Sequence, residues 1–314
     1  MLTELQKKTA QAIVRIFETG KALGDYGAVT VIPGDTGHLS YGCSQASLTS
    51  GNLGMLVGAY CVAQGAEYAG KLEPYISALK KLDTRLDNDA TLKTLLKAAG
   101  NDPVMRRVQD DFFDLKFWWP AVYTAEGMEI RSALGTLVLY DSRIHGSFDL
   151  ISNRTTQKHG SPLMIGEREW IDRYIRERRD WLKNHSNTLL HNTVYRMDTL
   201  ATLAMMGSWE LDLPLTVRGV AITKAILTSS AARRTLKLAS PLMRGDDVKE
   251  LQVLLNRYLE EQDTVRAGIL RLTADGVFGQ KTDDALKVFQ KAKGLNPDGI
   301  CGSMTWSALD NYKG

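Results

Sequence analysis

The chain has little cysteine, little excess charge of either sign and no long apolar run, and each shortage removes a class of protein. Cys43, Cys61 and Cys301 are the only cysteines in 314 residues. An odd count at such spacing excludes a disulfide framework and a cysteine-held metal and points to synthesis in a reducing compartment, while leaving a Cys43–Cys61 bridge open. The 39 Lys and Arg are nearly balanced by 36 Asp and Glu, a net +3, so a nucleic-acid partner, which needs a dense basic face, is set aside. No apolar stretch reaches the ~20 residues of a membrane span. The opening Met1-Leu2-Thr3-Glu4-Leu5-Gln6-Lys7-Lys8 lacks the basic start, apolar core and small-residue cleavage site of a signal peptide. His38, His159, His185 and His191 show no ligand spacing, and no Cys-His or Gly-x-Ser-x-Gly nucleophile motif is present, so neither a metal nor another cofactor is expected.

A hydrophobic fraction of 44% and a charged fraction of 24% suit a globular chain with room for one large domain and a small one, or two of medium size. Leu5, Ala12, Ile13, Ile16 and Phe17 recur at helical spacing ahead of Gly20, which predicts a helix over residues 3–19. Ala28 to Ile32 is a short β-branched run, Pro33-Gly34 a turn and Leu39 to Gly42 a second strand, together a small hairpin or sheet. From Leu53 to Leu227 helical patterns dominate. Small and basic residues near Thr228 to Arg234 then mark a linker, placed over 229–237. It divides a domain at 1–228 from one at 238–314. The second contains three helical patterns and repeats an Asp-Gly-apolar-x-Gly turn, at Asp275-Gly276 and again at Asp298-Gly299.

Two carboxylates draw attention. Glu18 ends the first helix, and Asp35 follows 17 residues later in the turn Pro33-Gly34-Asp35-Thr36-Gly37. Carboxyl groups held apart on different elements can divide the work of glycosidic cleavage, one protonating the leaving oxygen and the other activating the attacker. Glu18 lies among last-turn carbonyls that repel negative charge, a setting suited to the group that gives up a proton. Either residue alone has an ordinary explanation, as a helix-end surface Glu or an Asx-turn Asp.

Asp275-Gly276-x-Phe278-Gly279-x-x-Thr282, Phe289-Gln290 and Asp298-Gly299-x-x-Gly302-x-x-Thr305-Trp306 together resemble the peptidoglycan-binding domain of cell-wall hydrolases. A helix ending in Glu, followed by a β element that presents an Asp and, five residues on, a hydroxyl, resembles the chitosanases of glycoside hydrolase family 46. Ala133 to Gly146 is similar to that family's central helix, and Tyr195 to Thr199 with Leu211 to Thr216 to its closing segment. The resemblance implies a mainly α fold with a small β-hairpin or sheet, an α+β lysozyme-like two-lobed catalytic domain, followed by a small three-helix wall-binding domain. It implies an inverting reaction in which Glu18 is the general acid, Asp35 the general base and Ser40 the hydroxyl that helps hold the attacking water. It also implies an Arg-Asp-Arg network supporting the acid, to which Asp141 and Arg196 are assigned and Arg218 is a candidate third member. An Asp in mid-helix beside apolar neighbours needs such a partner.

Two departures bear on substrate. Ser50-Gly51-Asn52-Leu53 stands where the chitosanases carry an acidic residue, and Gly37 where they carry a basic one. Chitosan sugars are cationic and call for carboxylates, whereas a neutral N-acetylated sugar is better met by an amide such as Asn52, unless Asn52 merely caps the next helix. Trp118, Trp119 and Tyr123 could stack on pyranose rings, although such a cluster more often builds a core. The expectation is a monomeric endo-acting hydrolase of peptidoglycan glycan strands, muramidase-type, in the manner of a phage endolysin. A chitosanase with a wall-binding tail, a lytic transglycosylase, a secreted antibacterial effector and a non-catalytic wall-binding protein are the alternatives. Made without a signal peptide, it would reach the wall by holin-type release or specialised secretion.

Overall fold

The first helix spans Glu4–Thr19 and is closed at both ends by local chemistry. Thr3 and Gln6 form a reciprocal capping box at its start, and Gly20 adopts the left-handed conformation, φ 72°, that ends it, returning its N–H to the Ile16 carbonyl. The computed structural model describes residues 2–63, 65–228, 235–261, 271–310 and 312, and divides into two units, Met1–Thr228 and Ser229–Gly314. Residues 229–234, most of the expected linker, lie outside the described residues.

The first unit is mainly helical with a small antiparallel sheet and contains two hydrophobic cores. One gathers the Glu4–Thr19 helix, the buried helix Ala133–His145, the helices Glu167–Lys183 and Tyr195–Met205, and a hairpin of strands Leu215–Val217 and Val220–Ile222. That hairpin is additional to the helical patterns that dominate the sequence from Leu53 to Leu227. The other core gathers a sheet in the order β1 (Val29–Thr30), β2 (Ser40–Tyr41), β3 (Ala46–Ser47) with the helices Asn52–Cys61, Ala90–Ala99 and Pro103–Phe113. Two cores make two lobes.

The lobes are joined where Pro103–Phe113 passes through a π-helical turn, Asp114–Trp118, into Trp119–Gly127. Pro120 has no N–H to return to the preceding turn, which accounts for the irregular winding there. Phe117 packs against both cores. A second tie is ionic. Arg15 Nη2 lies 2.6 Å from Asp110 Oδ1, which also receives the Tyr26 hydroxyl at 2.8 Å. Burial pushes the Asp110 carboxyl up, and the facing Arg15 and Tyr26 only partly offset this.

The sheet is kept tight by one glycine. Gly42 has φ 85°, and a Cβ there would fall 2.2 Å from Gln109 Oε1. Gln109 fills that space by accepting the Cys43 N–H and donating to the Tyr26 carbonyl, both at 2.9 Å. All three cysteines are free thiols, so Cys43 and Cys61 are not bridged.

The second unit packs the helices Asp246–Glu261, Gln280–Ala292 and Ser303–Asp310 around Val248, Leu251, Phe278, Phe289 and Trp306. Its repeated turn is matched by a repeated clamp. Gln252 donates to Asp275 Oδ1, the Val277 carbonyl and Thr282 Oγ1 and accepts the Gly276 N–H. Gln290 does the same to Asp298 Oδ1, the Ile300 carbonyl, Thr305 Oγ1 and the Gly299 N–H. Each buried amide engages both its NH2 group and its carbonyl oxygen on one Asp-Gly turn. Leu236, which composition assigns to the linker, is fully buried here and bridges to Cys301. A buried apolar side chain and a backbone pair tie it to this unit, upstream of the expected boundary at 238.

Candidate active site

Glu18 projects from the last turn of the Glu4–Thr19 helix with its side chain 16% exposed. Arg196, from Tyr195–Met205, donates from Nη1 to Glu18 Oε1 at 2.9 Å and from Nε to Asp141 Oδ1 at 3.0 Å. The other Asp141 oxygen accepts from Arg178 Nη1 at 2.8 Å. Both Asp141 and Arg178 are fully buried. Burial alone would raise the Asp141 pKa, but Arg196 and Arg178 outweigh it and hold the carboxyl below its usual range. A buried charge cluster of this kind is tolerable only when every member is paired and hydrogen-bonded. Here Arg178 is also met by Ser142 Oγ at 2.9 Å, the Gly146 carbonyl at 3.1 Å and His145 Nδ1 at 3.1 Å.

His145 is neutral for a geometric reason. A guanidinium only donates, so the Nδ1 facing Arg178 must be the unprotonated acceptor. Burial, reinforced by Arg196 and Arg178, pushes the imidazole down to about 3.

The network therefore contains Asp141 and Arg196 as anticipated, while its second arginine is Arg178 and not Arg218. Arg218 lies instead at the tip of the Leu215–Val217/Val220–Ile222 hairpin, its guanidinium 3.8 Å from the centroid of the Tyr195 ring. A readable signal for Arg178 exists. Trp170, Ile171, Tyr174, Ile175 and Leu182 form the buried stripe of the Glu167–Lys183 helix, and Arg178 falls inside that stripe. A cation on the apolar face calls for a buried carboxylate.

Asp35 sits in the β1–β2 connection, on the other lobe. Its backbone N–H closes a turn onto the Ile32 carbonyl at 3.0 Å, and its carboxylate rests against Gly37, where a Cβ would come within 2.9 Å of Oδ2. The connection is pinned from below by Asp87, which accepts the Leu39 N–H at 2.8 Å and faces His38 Nδ1 at 2.6 Å. Asp87 and His38 thus brace the connection that carries Asp35, and no motif marks them, because they lie 49 residues apart in the chain. Ser40 pairs with Thr30 on one side and Ser47 on the other, and its Oγ donates to the His38 carbonyl at 3.3 Å.

Asn52 is the first residue of Asn52–Cys61, whose N-cap is Gly51 with no side-chain cap. Its backbone N–H meets Ser50 Oγ at 3.3 Å, and Ser50 Oγ in turn bonds to Ser47. Asn52 thus stands on the same hairpin scaffold as Asp35 and Ser40, with its side-chain amide not used as a cap. Trp118 is buried edge-on against Tyr140, whereas Trp119 and Tyr123 are exposed and stacked on each other, 6.3 Å between centroids. The arrangement places Glu18, Asp141 and Arg196 on one lobe and Asp35, Ser40 and Asn52 on the other. A carboxyl on each lobe suits chemistry on a polymer lying between them.

The glycosyl hydrolase family 46 model matches residues 12–215, and a peptidoglycan binding domain model matches 244–309. A chitosanase of Bacillus subtilis (strain 168) is 29% identical over 237 residues, covering 69% of this chain and 83% of that protein. The solved structure of a glutamate-to-alanine mutant chitosanase from Bacillus subtilis MY002, complexed with 6 GlcN, superimposes with a TM-score of 0.62 at 27% identity, over 69% of this chain and 96% of its own. The tail is similar to part of the N-acetylmuramoyl-L-alanine amidase CwlL of Bacillus licheniformis, 39% identical over 75 residues, or 23% of this chain and 19% of that one. A match running through both lobes, the Glu18 helix and the Asp35 hairpin shows that the chain belongs to glycosyl hydrolase family 46.

Proposed function

We propose that this glycoside hydrolase is an endo-acting, inverting enzyme that cuts β-1,4 bonds in peptidoglycan glycan strands. The observation that carries the reading is the union on one chain of a family 46 catalytic unit with a peptidoglycan-binding unit at 244–309. Holding the enzyme on an insoluble polymer raises its effective concentration at the bonds to be cut.

Glu18 protonates the glycosidic oxygen, and Arg196 fixes the direction from which it does so. Asp35, on the opposite lobe, takes a proton from water. Because Ser40 Oγ already donates to the His38 carbonyl, its remaining lone pairs accept the water's second hydrogen. The water's own lone pair is then left free for the anomeric carbon. Asn52 offers a neutral amide to an N-acetyl group.

Digestion of purified sacculi, followed by mass spectrometry of the products, tests the proposal. Reducing N-acetylmuramic acid ends are expected. Anhydro ends would replace hydrolysis with transglycosylation, and no released fragments would overturn the reading. A second reading, hydrolysis of chitosan, is favoured by the similarity to the Bacillus subtilis chitosanase and to the chitosanase complexed with 6 GlcN. Activity on chitosan with none on sacculi would establish it.

A further inference from the structure

The turn Val217-Arg218-Gly219-Val220 carries a side chain that its backbone does not favour. Arg218 and Gly219 have φ 50° and 79°, the two positive values of the tight hairpin turns that prefer Asn-Gly or Gly-Gly. An arginine in the left-handed region is uncommon, and an outlier of this kind near an active site is a reason to look for a role. Its guanidinium lies over the Tyr195 ring, 3.8 Å from the centroid. The Tyr195 hydroxyl donates to the Phe17 carbonyl at 2.8 Å, and Phe17 immediately precedes Glu18. Tyr195 also immediately precedes Arg196, which grips Glu18 from the other side. Arg218 is therefore linked through Tyr195 to the backbone that precedes Glu18, while remaining exposed. Among the described residues no carboxylate pairs with it, so its five N–H donors are oriented and unspent.

We propose that Arg218 is a specificity-determining residue that reads a carboxylate on the substrate next to the bond being cut. The inference rests on the peptidoglycan reading and deepens it. Such strands carry carboxylates on the stem peptide, or on the lactyl group of the muramyl unit where that peptide has been removed, whereas chitosan carries ammonium groups. A guanidinium planted on an aromatic ring has lost the conformational freedom it would otherwise sacrifice on binding, and its planar fork matches a carboxylate. The same positive charge opposes a glucosamine ammonium at that position.

The test compares the full chain with Arg218→Asn, which restores the preferred Asn-Gly turn and so keeps the hairpin. Both are assayed on native sacculi and on sacculi whose carboxylates have been amidated. The parent should lose roughly fivefold or more in kcat/KM on amidation, the scale of a charge-assisted contact, and Arg218→Asn should show little further loss. Comparing the two enzymes cancels any effect of amidation on the tail. Peptide-stripped strands locate the contact. A loss in Arg218→Asn on these strands assigns it to the lactyl carboxylate, and a loss on intact sacculi alone assigns it to the peptide. If amidation weakens both enzymes equally, or if Arg218→Asn falls equally on native and amidated sacculi, the proposal fails while the peptidoglycan reading stands. If the parent releases nothing from native sacculi, it is that reading which fails.

Discussion

Arg196 donates to Glu18 across 2.9 Å from inside a buried network that continues through Asp141 to Arg178. The Glu18 carboxylate at the helix end is thereby oriented by residues from three further helices. Its aim depends on charges that never meet solvent.

Removing Arg178 should show this dependence. Arg178→Leu leaves one oxygen of Asp141 without its cation, and breaking one partner out of a buried pair costs about 3–5 kcal/mol. Urea unfolding should register that loss in the first unit. Glycan hydrolysis should fall with it, although Arg178 is fully buried.

Glu18→Gln and Asp35→Asn should each lower kcat by about 10²–10⁴-fold with little change in stability, the usual scale for losing a general acid or base. Steady-state kinetics on soluble oligosaccharides, paired with thermal melts, checks both. Substantial activity in Asp35→Asn would show that no water needs activating and would point to transglycosylation.

Acid should destabilise the first unit in two steps. His145 is held down to about 3 in the folded chain against an ordinary 6.5. Between those values the unfolded chain binds a proton that the folded chain refuses, so stability falls as pH drops through 6.5, by up to ~1.4 kcal/mol per pH unit. Asp141 acts lower. Its folded pKa lies below the ordinary 3.8, so the stability it contributes is present above that value and is lost as pH falls through the folded pKa. Unfolding midpoints measured from pH 7 to pH 4 should slope downward, and His145→Gln should flatten the slope in that window.

Either tail glutamine should matter to wall binding and not to bond cleavage. Gln252→Ala or Gln290→Ala strands a buried Gly N–H and frees its Asp-Gly turn, which costs about 1–3 kcal/mol per unsatisfied group. Co-sedimentation with sacculi should weaken, whereas hydrolysis of soluble oligosaccharides should hold. Equal loss of both would contradict a division of labour between the units.

Much of this protein is legible residue by residue. Thr3, Gln6 and Gly20 bound the first helix through contacts no more than four residues apart, and the two Asp-Gly turns declare themselves by their glycines. The region from Ala28 to Gly42 reads as strands and turn, but the third strand, Ala46–Ser47, does not, because two residues carry no periodicity. The Leu215–Ile222 hairpin is hard to read from the sequence for a related reason. Its short alternation follows a long helical stretch, and its turn is marked by Arg-Gly in place of Asn-Gly.

The sequence by itself determined where the candidate groups Glu18, Asp35 and Ser40 lie and which local element presents each of them, because caps, turns and side-chain alternation are short-range physics. Only the tertiary structure decided which groups serve them. Arg178 reaches Asp141 across 37 residues, Asp87 reaches His38 across 49, and Tyr195 reaches Phe17 across 178. Such partnerships form where burial leaves a charge or a polar group nowhere else to be satisfied, and no spacing along the chain records that need.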